Sequence, residues 1–230
     1  MQTHILITGA SRGIGAAIAE ALTGDTTKVV ALSSADGDLS DPDVPANLWQ
    51  QSLGKLDGRI DVLINNAGVF EANPLDSDDA DWRAGWNRTL QINLTASAEL
   101  CRHAVLHWQG RKTGGRIVNI ASRAAYRGDG PAHWDYAASK AGMVAMTKTI
   151  ARGYAKENIL AFAICPGFTM TGMAEDYLAS RGGDQLLADI PLGRVADPRE
   201  IGEMARWCAL DAPASMTGAM LDANGASYVR

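Results

Sequence analysis

Two side chains that together can move a proton, Tyr136 and Lys140, lie four residues apart in the stretch YAASK. In a helix this spacing places both side chains on one face, one turn apart. A nearby ammonium lowers the pKa of a tyrosine, which is normally ~10, because it stabilises the phenolate. At about 4 Å and an effective dielectric of about 20 the attraction reaches about 4 kcal/mol, or about 3 pKa units, and desolvation of the lysine reduces it. Tyr136 is therefore a candidate general acid or base, unless the pair is simply part of a solvated helix face.

A glycine-rich turn, TGASRGIG at residues 8–15, follows the first predicted strand and opens the first predicted helix. This is the context of a dinucleotide-binding turn, because glycine lets a pyrophosphate approach the free N–H groups of a helix N-terminus. Its glycines are spaced as GxxxGxG, and it lacks the GK[ST] of an ATP-type phosphate loop. A structural glycine-rich turn is the alternative.

Six short runs rich in Val, Ile and Leu alternate with longer helical patterns. Continuous apolar runs are typical of parallel strands that are buried on both faces. The alternation predicts an α/β fold, a Rossmann-type doubly wound parallel sheet of six to seven strands. The strands are predicted at residues 4–8, 28–32, 61–65, 116–122, 160–165 and 219–224. The helical patterns cover residues 14–22, about 79–108, 135–156 and 198–210, with Ser77 capping the second helix.

Composition and charge exclude several classes of protein. The net charge of −5 and the pI of 5.3 argue against a nucleic-acid partner, which requires a basic patch. The three cysteines are far apart and lack CxxC spacing, so we expect neither a disulfide framework nor a metal site. No apolar run approaches the ~18 residues of a membrane span, and no basic and apolar leader precedes the first strand. We expect a soluble cytoplasmic protein, and no linker divides residues 1–230 into more than one domain.

Six motifs occur in the order found in short-chain dehydrogenases/reductases, and the chain resembles that family over nearly its whole length. Within the family it is most similar to the 3-oxoacyl-(acyl carrier protein) reductase group and related carbonyl reductases. The resemblance implies the predicted fold, a nicotinamide cofactor and an Asn–Ser–Tyr–Lys catalytic set. The motifs are TGASRGIG, NNAG at residues 65–68, Asn93 in QINL, Ser122 in IVNIAS, YAASK, and PGFTMT at residues 166–171.

The resemblance implies a role for each catalytic position. Tyr136 would give a proton to the carbonyl oxygen while hydride arrives from the nicotinamide, or take it back in the oxidation direction. Ser122 would hydrogen-bond and orient the same oxygen. Lys140 would hold the nicotinamide ribose and lower the Tyr136 pKa, and Asn93 would fix a water near Lys140. Otherwise Asn93 is a polar residue that marks a kink in a long helix.

The resemblance also implies a cofactor-binding set. Within it, residues 66–68 would line the adenosine side and Thr171 would bind the carboxamide. The set comprises Gly9, Ser11, Arg12, Gly13, Ile14, Gly15, Ser33, Ser34, Asp38, Leu39, Asn66, Ala67, Gly68, Tyr136, Lys140, Pro166, Gly167, Thr169 and Thr171.

The end of the second predicted strand favours NADP(H) over NAD(H). An NAD site usually presents an acid there to the ribose hydroxyls, and that acid would repel a 2′-phosphate. Here Ser33 and Ser34 place hydroxyls at the expected position, and Arg12 could pair with the phosphate as a charge-assisted donor, unless its side chain is simply solvated. Asp36 is close enough to supply the missing acid if the strand extends further.

The stretch GDLSD at residues 37–41 resembles the third strand of the family, whose acid and following residue contact adenine. Only a few residues separate it from Ser34, whereas a parallel crossover needs about a dozen or more. The connection after the second strand is therefore shortened, and the third strand should be rudimentary or displaced. This leaves Asp38 and Leu39 open as adenine contacts.

The sequence does not choose a substrate. Residues 123–135 and 168–191 should frame it, and their mixed charge permits a polar carbonyl compound or an acyl thioester. A carbonyl reductase is the preferred interpretation. An alcohol dehydrogenase working in the oxidation direction and a non-catalytic NADP(H)-sensing protein are the alternatives, and the intact catalytic set disfavours the second. The resemblance also implies a homodimer or homotetramer.

Overall fold

The computed structural model describes residues 2–170 and 187–230, and their strands form one sheet in the order β2-β1-β3-β4-β5-β6. Every neighbouring pair of strands is parallel. The six predicted strands are all present, and their ends lie within two residues of the prediction. The strands are β1 (Thr3–Ile7), β2 (Thr27–Ala31), β3 (Val62–Asn65), β4 (Gly115–Ile120), β5 (Ile159–Pro166) and β6 (Met220–Ala223).

Helices cover both faces of the sheet, as a doubly wound fold requires. One apolar cluster joins α1 and α7 to the sheet, and another joins α2, α4 and α6 to its opposite face. None of the helices in the described ranges is long and apolar enough to cross a membrane. The helices are α1 (Gly13–Leu22), α2 (Val44–Lys55), α3 (Asp79–Leu90), α4 (Ala96–Arg111), α5 (Ala124–Arg127), α6 (Trp134–Tyr154) and α7 (Pro198–Leu210).

The order in which strands are added to the sheet reverses at β1, because β2 lies on one side of β1 and β3 on the other. The chain passes over one face through α1 to reach β2, and then over the other face through α2 to reach β3 on the far side of β1. Ligands of open α/β sheets bind in the crevice that such a reversal creates outside the carboxyl ends of the strands. The topology therefore places the candidate site at the carboxyl ends of β1 and β3.

Residues 37–41 form no strand, as the small number of residues between Ser34 and this stretch predicted. The chain then enters α2, which the sequence analysis did not predict. Pro45 lies in its first turn, and Leu48, Trp49 and Ser52 are buried at helical spacing. A second correction concerns α3, whose N-cap is Asp78 and not Ser77. The Asp78 carboxylate accepts hydrogen bonds from Ala80 N at 2.9 Å and Asp81 N at 3.0 Å.

Trp108 fastens the end of α4 to the start of β4. Its side chain is 1% exposed, and its indole Nε1 donates a 2.7 Å hydrogen bond to Ile60 O. Gly115 leaves the room that the ring needs, because a Cβ at Gly115 would lie 2.0 Å from Cε2 of Trp108. This contact sets the distance between α4 and the sheet.

Replacing Trp108 with alanine should lower the free energy of unfolding by about 3–5 kcal/mol, because it leaves a large cavity and an unpaired Ile60 carbonyl. Trp134, which is 54% exposed, is the matched control, and Trp134→Ala should cost no more than about 0.5 kcal/mol. Urea unfolding followed by circular dichroism gives both values. Equal losses in the two variants would contradict this role for Trp108.

Candidate active site

The glycine turn after β1 has the shape of an anion-binding cradle. Gly9 and Gly13 have positive φ angles of 68° and 55°. A Cβ at Gly15 would lie 2.0 Å from Gly9 O, so only glycine allows α1 to begin so close to the turn. The N-cap of α1 is Arg12, whose side chain does not cap the helix, so the N–H groups of the first turn are available to a phosphate.

Thr8 and Asn66 fasten this turn to the end of β3. Thr8 Oγ1 accepts hydrogen bonds from Asn66 N and Ala67 N, both at 3.1 Å. Asn66 Nδ2 donates in return to Thr8 O at 3.1 Å and to Gly9 O at 2.9 Å. The Asn66 side chain therefore builds the turn. Thr8 was not among the predicted site residues, although its hydroxyl opens the glycine motif.

Asn93 lies in a π-helical turn, Gln91–Thr95, that joins α3 to α4. Its buried side chain accepts from Val69 N at 2.8 Å, and donates to Val69 O at 2.9 Å and Ser139 Oγ at 3.2 Å. Single π-helical turns of this kind are frequent at functional sites. Asn93 thus holds the chain that follows Gly68 against α6.

Lys140 is a buried cation, 4% exposed, whose Nζ donates a 2.9 Å hydrogen bond to Ile120 O at the end of β4. Burial lowers the pKa of Lys140 to about 8, because the ammonium loses its hydration. A Cβ at Gly68 would lie 3.4 Å from this Nζ and 3.2 Å from Asn93 Oδ1. Gly68, Asn93 and Lys140 are therefore direct neighbours.

Tyr136 lies one turn before Lys140 on α6, beside Ser122. Burial raises the pKa of Tyr136, and this effect outweighs a hydrogen bond with Ser122 that lowers it. The direction is opposite to the lowering that the sequence predicted. The Lys140 Nζ is bonded to a backbone carbonyl and lies 5.8 Å from the centre of the phenol ring, so its attraction does not offset the effect of burial. Tyr136 therefore carries its proton at neutral pH.

Ser122 follows β4 and is itself buried. Its Oγ accepts a 3.1 Å hydrogen bond from Ala124 N, which fixes the hydroxyl at the start of α5. With Asn93 and Lys140, Ser122 and Tyr136 form one cluster at the carboxyl edge of the sheet. This arrangement can present a proton donor and a hydrogen-bond donor to one oxygen atom.

Phe70 forms a wall of this cluster. Its ring lies edge-on to Tyr136, with centroids 4.8 Å apart, and stacks on His133 at 4.0 Å. The His133 Nδ1 lies 3.1 Å from Glu71 O, and Asn73 N donates to Ala132 O at 2.7 Å. The loops that follow β3 and precede α6 are thereby joined. Phe70 was not among the residues predicted from the sequence, although it follows the NNAG motif by two residues.

The end of β2 carries both hydroxyls and an acid. The strand ends at Ala31, yet a turn brings Asp36 back, so that its Oδ2 accepts from Ser33 N at 2.9 Å and Ser33 Oγ at 3.1 Å. These bonds lower the pKa of Asp36. Ala10 N donates to Leu32 O at 2.8 Å, so the glycine turn adjoins this strand end. Asp36 thus lies at the end of β2 without the longer strand that the sequence analysis required for it.

The remaining predicted positions are distributed around the same edge. Gly167 N donates to Ala223 O at 3.0 Å, and Thr169 pairs with Ala196. Asp38 Oδ1 accepts from Ser40 N at 2.9 Å, and the Leu39 side chain packs against the core. Ser11 and Ser34 are exposed, whereas Ile14 packs against the core beneath the glycine turn. Thr171 lies outside the described residues.

Comparison with known proteins decides the family. A sequence model of the Enoyl-(Acyl carrier protein) reductase family matches residues 33–225. The 3-oxoacyl-[acyl-carrier-protein] reductase of Vibrio harveyi is 33% identical and aligns over 97% of this chain and 96% of its own. The acetoacetyl-CoA reductase of Shinella zoogloeoides is 33% identical over 99% of both chains. The chain belongs to the short-chain dehydrogenase/reductase family.

The fold agrees with this assignment. The ligand-free structure of Thermoplasma acidophilum aldohexose dehydrogenase superposes with a TM-score of 0.86 at 26% identity, covering 100% of this chain and 95% of that one. As a short-chain dehydrogenase/reductase, the protein is an oxidoreductase that uses NAD(P)(H). The resemblance that the motifs carried is confirmed, and so is the doubly wound sheet.

The buried Lys140 predicts an unusual dependence of stability on pH. In the unfolded chain a lysine titrates near ~10.4, so between pH 8 and that value the unfolded state binds more protons than the folded state. The free energy of unfolding should therefore rise with pH in this window, by up to about 3 kcal/mol relative to Lys140→Met. Urea unfolding of both proteins between pH 7.5 and about 10 measures the difference. Parallel pH profiles would contradict a buried ammonium.

Proposed function

We propose that this short-chain dehydrogenase/reductase is an NADP(H)-dependent carbonyl reductase in which Tyr136 is the general acid. The observation that carries the proposal is the position of Tyr136 beside Ser122, one helical turn before the buried Lys140. A proton donor for a carbonyl oxygen must hold its proton at working pH, as a tyrosine ordinarily does, and the nearby Lys140 ammonium can stabilise the phenolate that the transfer leaves.

The glycine turn fits a dinucleotide, because side chains at Gly9 or Gly15 would fill the cradle and α1 begins without a side-chain cap. The cofactor, when bound, supplies the hydride. The residues that hold it in this proposal are the glycine turn, Ser33 and Ser34, residues 66–68, Lys140, and the chain after β5 from Pro166.

The chain's own residues then handle the carbonyl oxygen. Ser122 orients the oxygen by a hydrogen bond, and Tyr136 transfers its proton to it. Lys140, with its pKa near 8, is an ammonium at neutral pH and stabilises the phenolate that Tyr136 becomes. The Asn93 side chain is hydrogen-bonded to the backbone of Val69 and so holds this stretch of the chain beside Lys140. In the proposal the same side chain also binds a water molecule near Lys140.

The substrate class that we propose is a ketone or a 3-oxoacyl thioester. Two relatives, a 3-oxoacyl-[acyl-carrier-protein] reductase and an acetoacetyl-CoA reductase, support it by their names. The likeness to an aldohexose dehydrogenase favours a second candidate, an alcohol dehydrogenase working in the oxidation direction. That direction requires Tyr136 to accept a proton, and its raised pKa makes this harder at neutral pH.

We also infer that residues 1–230 form one domain, because the six strands share one sheet. A homodimer or homotetramer in the cytoplasm is inferred from family membership alone. Light scattering of the purified protein measures its mass, and a monomer at all concentrations would contradict the oligomer.

Replacing Tyr136 with phenylalanine should reduce kcat/KM by at least about 100-fold, because the proton donor is lost. NADPH binding should be retained, since the phenol is not needed for the pyrophosphate cradle. Loss of NADPH absorbance with a panel of ketones and 3-oxoacyl thioesters measures turnover, and fluorescence titration measures binding. Tyr154→Phe, on the same helix but outside the site, is the matched control.

Three outcomes count against the reductase, and the third is measured with alcohols and NADP⁺. Activity that survives Tyr136→Phe removes the general acid from the mechanism. NADPH binding without oxidation by any carbonyl in the panel points instead to the NADP(H)-sensing protein. Faster turnover of alcohols with NADP⁺ at neutral pH supports the dehydrogenase.

Arg12 and Asp36 have opposite effects on the proposed preference for NADP(H), because a cation attracts the 2′-phosphate and a carboxylate repels it. The Asp36 carboxylate is engaged by two hydrogen bonds from Ser33, whereas Arg12 is exposed and its guanidinium makes no hydrogen bond within the described residues. In the proposal the Arg12 guanidinium therefore contributes more to cofactor choice than Asp36 does. Its guanidinium would pair with a 2′-phosphate, while the Asp36 charge would weaken that binding without cancelling it.

Arg12→Ala should weaken NADPH binding by about tenfold and leave NADH binding nearly unchanged, because one charge-assisted hydrogen bond is lost. Asp36→Asn should strengthen NADPH binding and not NADH binding, because it removes the repulsion. Calorimetric titration of each variant with both cofactors measures these changes. A clear preference of the unmutated protein for NADH would overturn the NADP(H) assignment.

A further inference from the structure

A buried arginine follows Ser122 directly. Arg123 is 8% exposed, and its backbone N donates a 2.9 Å hydrogen bond to Pro166 O at the end of β5. The guanidinium lies over the Phe168 ring, 4.8 Å from its centroid, and its Nη1 lies 3.5 Å from Asp189 Oδ2. One side chain thus contacts the chain on both sides of residues 171–186.

These two stretches of chain form one unit with each other. Ala196 N donates to Phe168 O at 2.9 Å, and Met170 N donates to Ala196 O at 2.8 Å. Met170 and Leu187 pack with Ile190 and Val195 in a small apolar cluster. We call this unit, residues 168–170 with 187–196, the flank unit.

The flank unit is joined to the loop that carries Ser122 by charge. Asp189 accepts from Arg127 Nη1 at 2.8 Å, in addition to its pairing with Arg123 at 3.5 Å. Within the described ranges, these are the ion pairs that connect the flank unit to residues 122–127. Both partners of Asp189 therefore belong to the stretch that begins at Ser122.

The guanidinium of Arg123 loses hydration at this position, which costs free energy. Burial is the main cause that lowers its pKa, followed by the neighbouring Arg127 cation, while the attraction of Asp189 raises it. An apolar side chain would pack against Phe168 without that desolvation cost. A buried charge restricts the positions that its oppositely charged partner can take, whereas apolar packing is non-directional.

We propose that Arg123 is a positioning residue: its simultaneous contacts with Phe168 and Asp189 fix the position of the flank unit relative to Ser122. The proposal rests on the proposed function, in which Ser122 orients the carbonyl oxygen and the chain after Pro166 borders the cofactor. Displacement of the flank unit relative to Ser122 then lowers the rate of the reaction, because geometry errors of about 1 Å cost up to about 100-fold.

The test uses two variants that break these contacts in different ways. Arg123→Met keeps the aliphatic packing on Phe168 and removes the charge, and Asp189→Asn removes the opposite charge at nearly constant shape. Asp189→Glu keeps the carboxylate and serves as the rescue variant. Arg206→Gln is the matched control, because Arg206 pairs with Glu203 and Asp211 on the surface of α7.

The first measurement is independent of activity. Hydrogen exchange of the amides of Met170 and Ala196 reports opening of the flank unit. It should be at least about fivefold faster in Arg123→Met and in Asp189→Asn, closer to the unmutated rate in Asp189→Glu, and unchanged in Arg206→Gln. Unchanged exchange in the first two variants overturns the proposal, whatever their activity.

The second measurement is kcat/KM with NADPH and the best carbonyl of the panel. It should fall by at least about fivefold in Arg123→Met and Asp189→Asn, and the double variant should lose less than the product of the two. Losses that multiply, or values within twofold of the unmutated enzyme, overturn the positioning role. If Arg123→Met does not fold, Asp189→Asn is compared with Arg127→Met, which removes the Arg127 bond alone, and equal effects of these two variants in both measurements overturn the role of Arg123. Faster exchange in a protein that turns over no carbonyl contradicts the proposed reaction only.

Discussion

The site depends on one buried hydrogen bond, from Lys140 Nζ to the Ile120 carbonyl at the end of β4. A buried ammonium must be paired, and here its partner belongs to the central sheet, so α6 is held at one rotation and one height against β4. That placement puts Tyr136, one turn earlier, beside Ser122 just beyond the same strand. Moving the helix by a residue would leave a buried charge unpaired and separate the two hydroxyls. The lowered Lys140 pKa is the physical cost of this arrangement.

Hydrogen bonds of polar side chains, rather than apolar packing, connect the rest of the site. Thr8 and Asn66 join the glycine turn to β3, and Asn93 joins the chain after β3 to α6. The carboxyl edge of a parallel sheet is where loops meet a ligand, so a continuous apolar core cannot extend there. Side-chain amides and hydroxyls take over, since each can satisfy two backbone groups in a fixed direction. The contacts of Arg123 with Phe168 and Asp189 connect the chain after β5 to the site through a polar side chain in the same way.

Electrostatics also distinguishes the two ends of the site. At the Tyr136 end, burial raises the pKa of Tyr136 and lowers that of Lys140 to about 8, so a neutral phenol lies near a charged ammonium at neutral pH, as the proposed proton donation requires. At the far end, Arg12 and Asp36 present opposite charges near the end of β2. Family membership makes the protein an NAD(P)(H)-dependent oxidoreductase without choosing between these charges. The balance at β2 is therefore a property of this chain and not of its fold.

The sequence by itself determined the sheet, most helices and the family, because apolar runs, helical spacing and ordered motifs are local signals. The lack of a strand at residues 37–41 was visible for the same reason, because too few residues follow Ser34 to allow a crossover. The sequence patterns missed α2, which contains Pro45 and Gly54, and favoured Ser77 where Asp78 caps α3. Only the tertiary structure decided the direction of the Tyr136 pKa, the return of Asp36 to Ser33, and the contacts of Arg123 with Phe168 and Asp189. These depend on desolvation and on charges brought together by chain turns and distant strands, and neither is encoded in the spacing of residues along the chain.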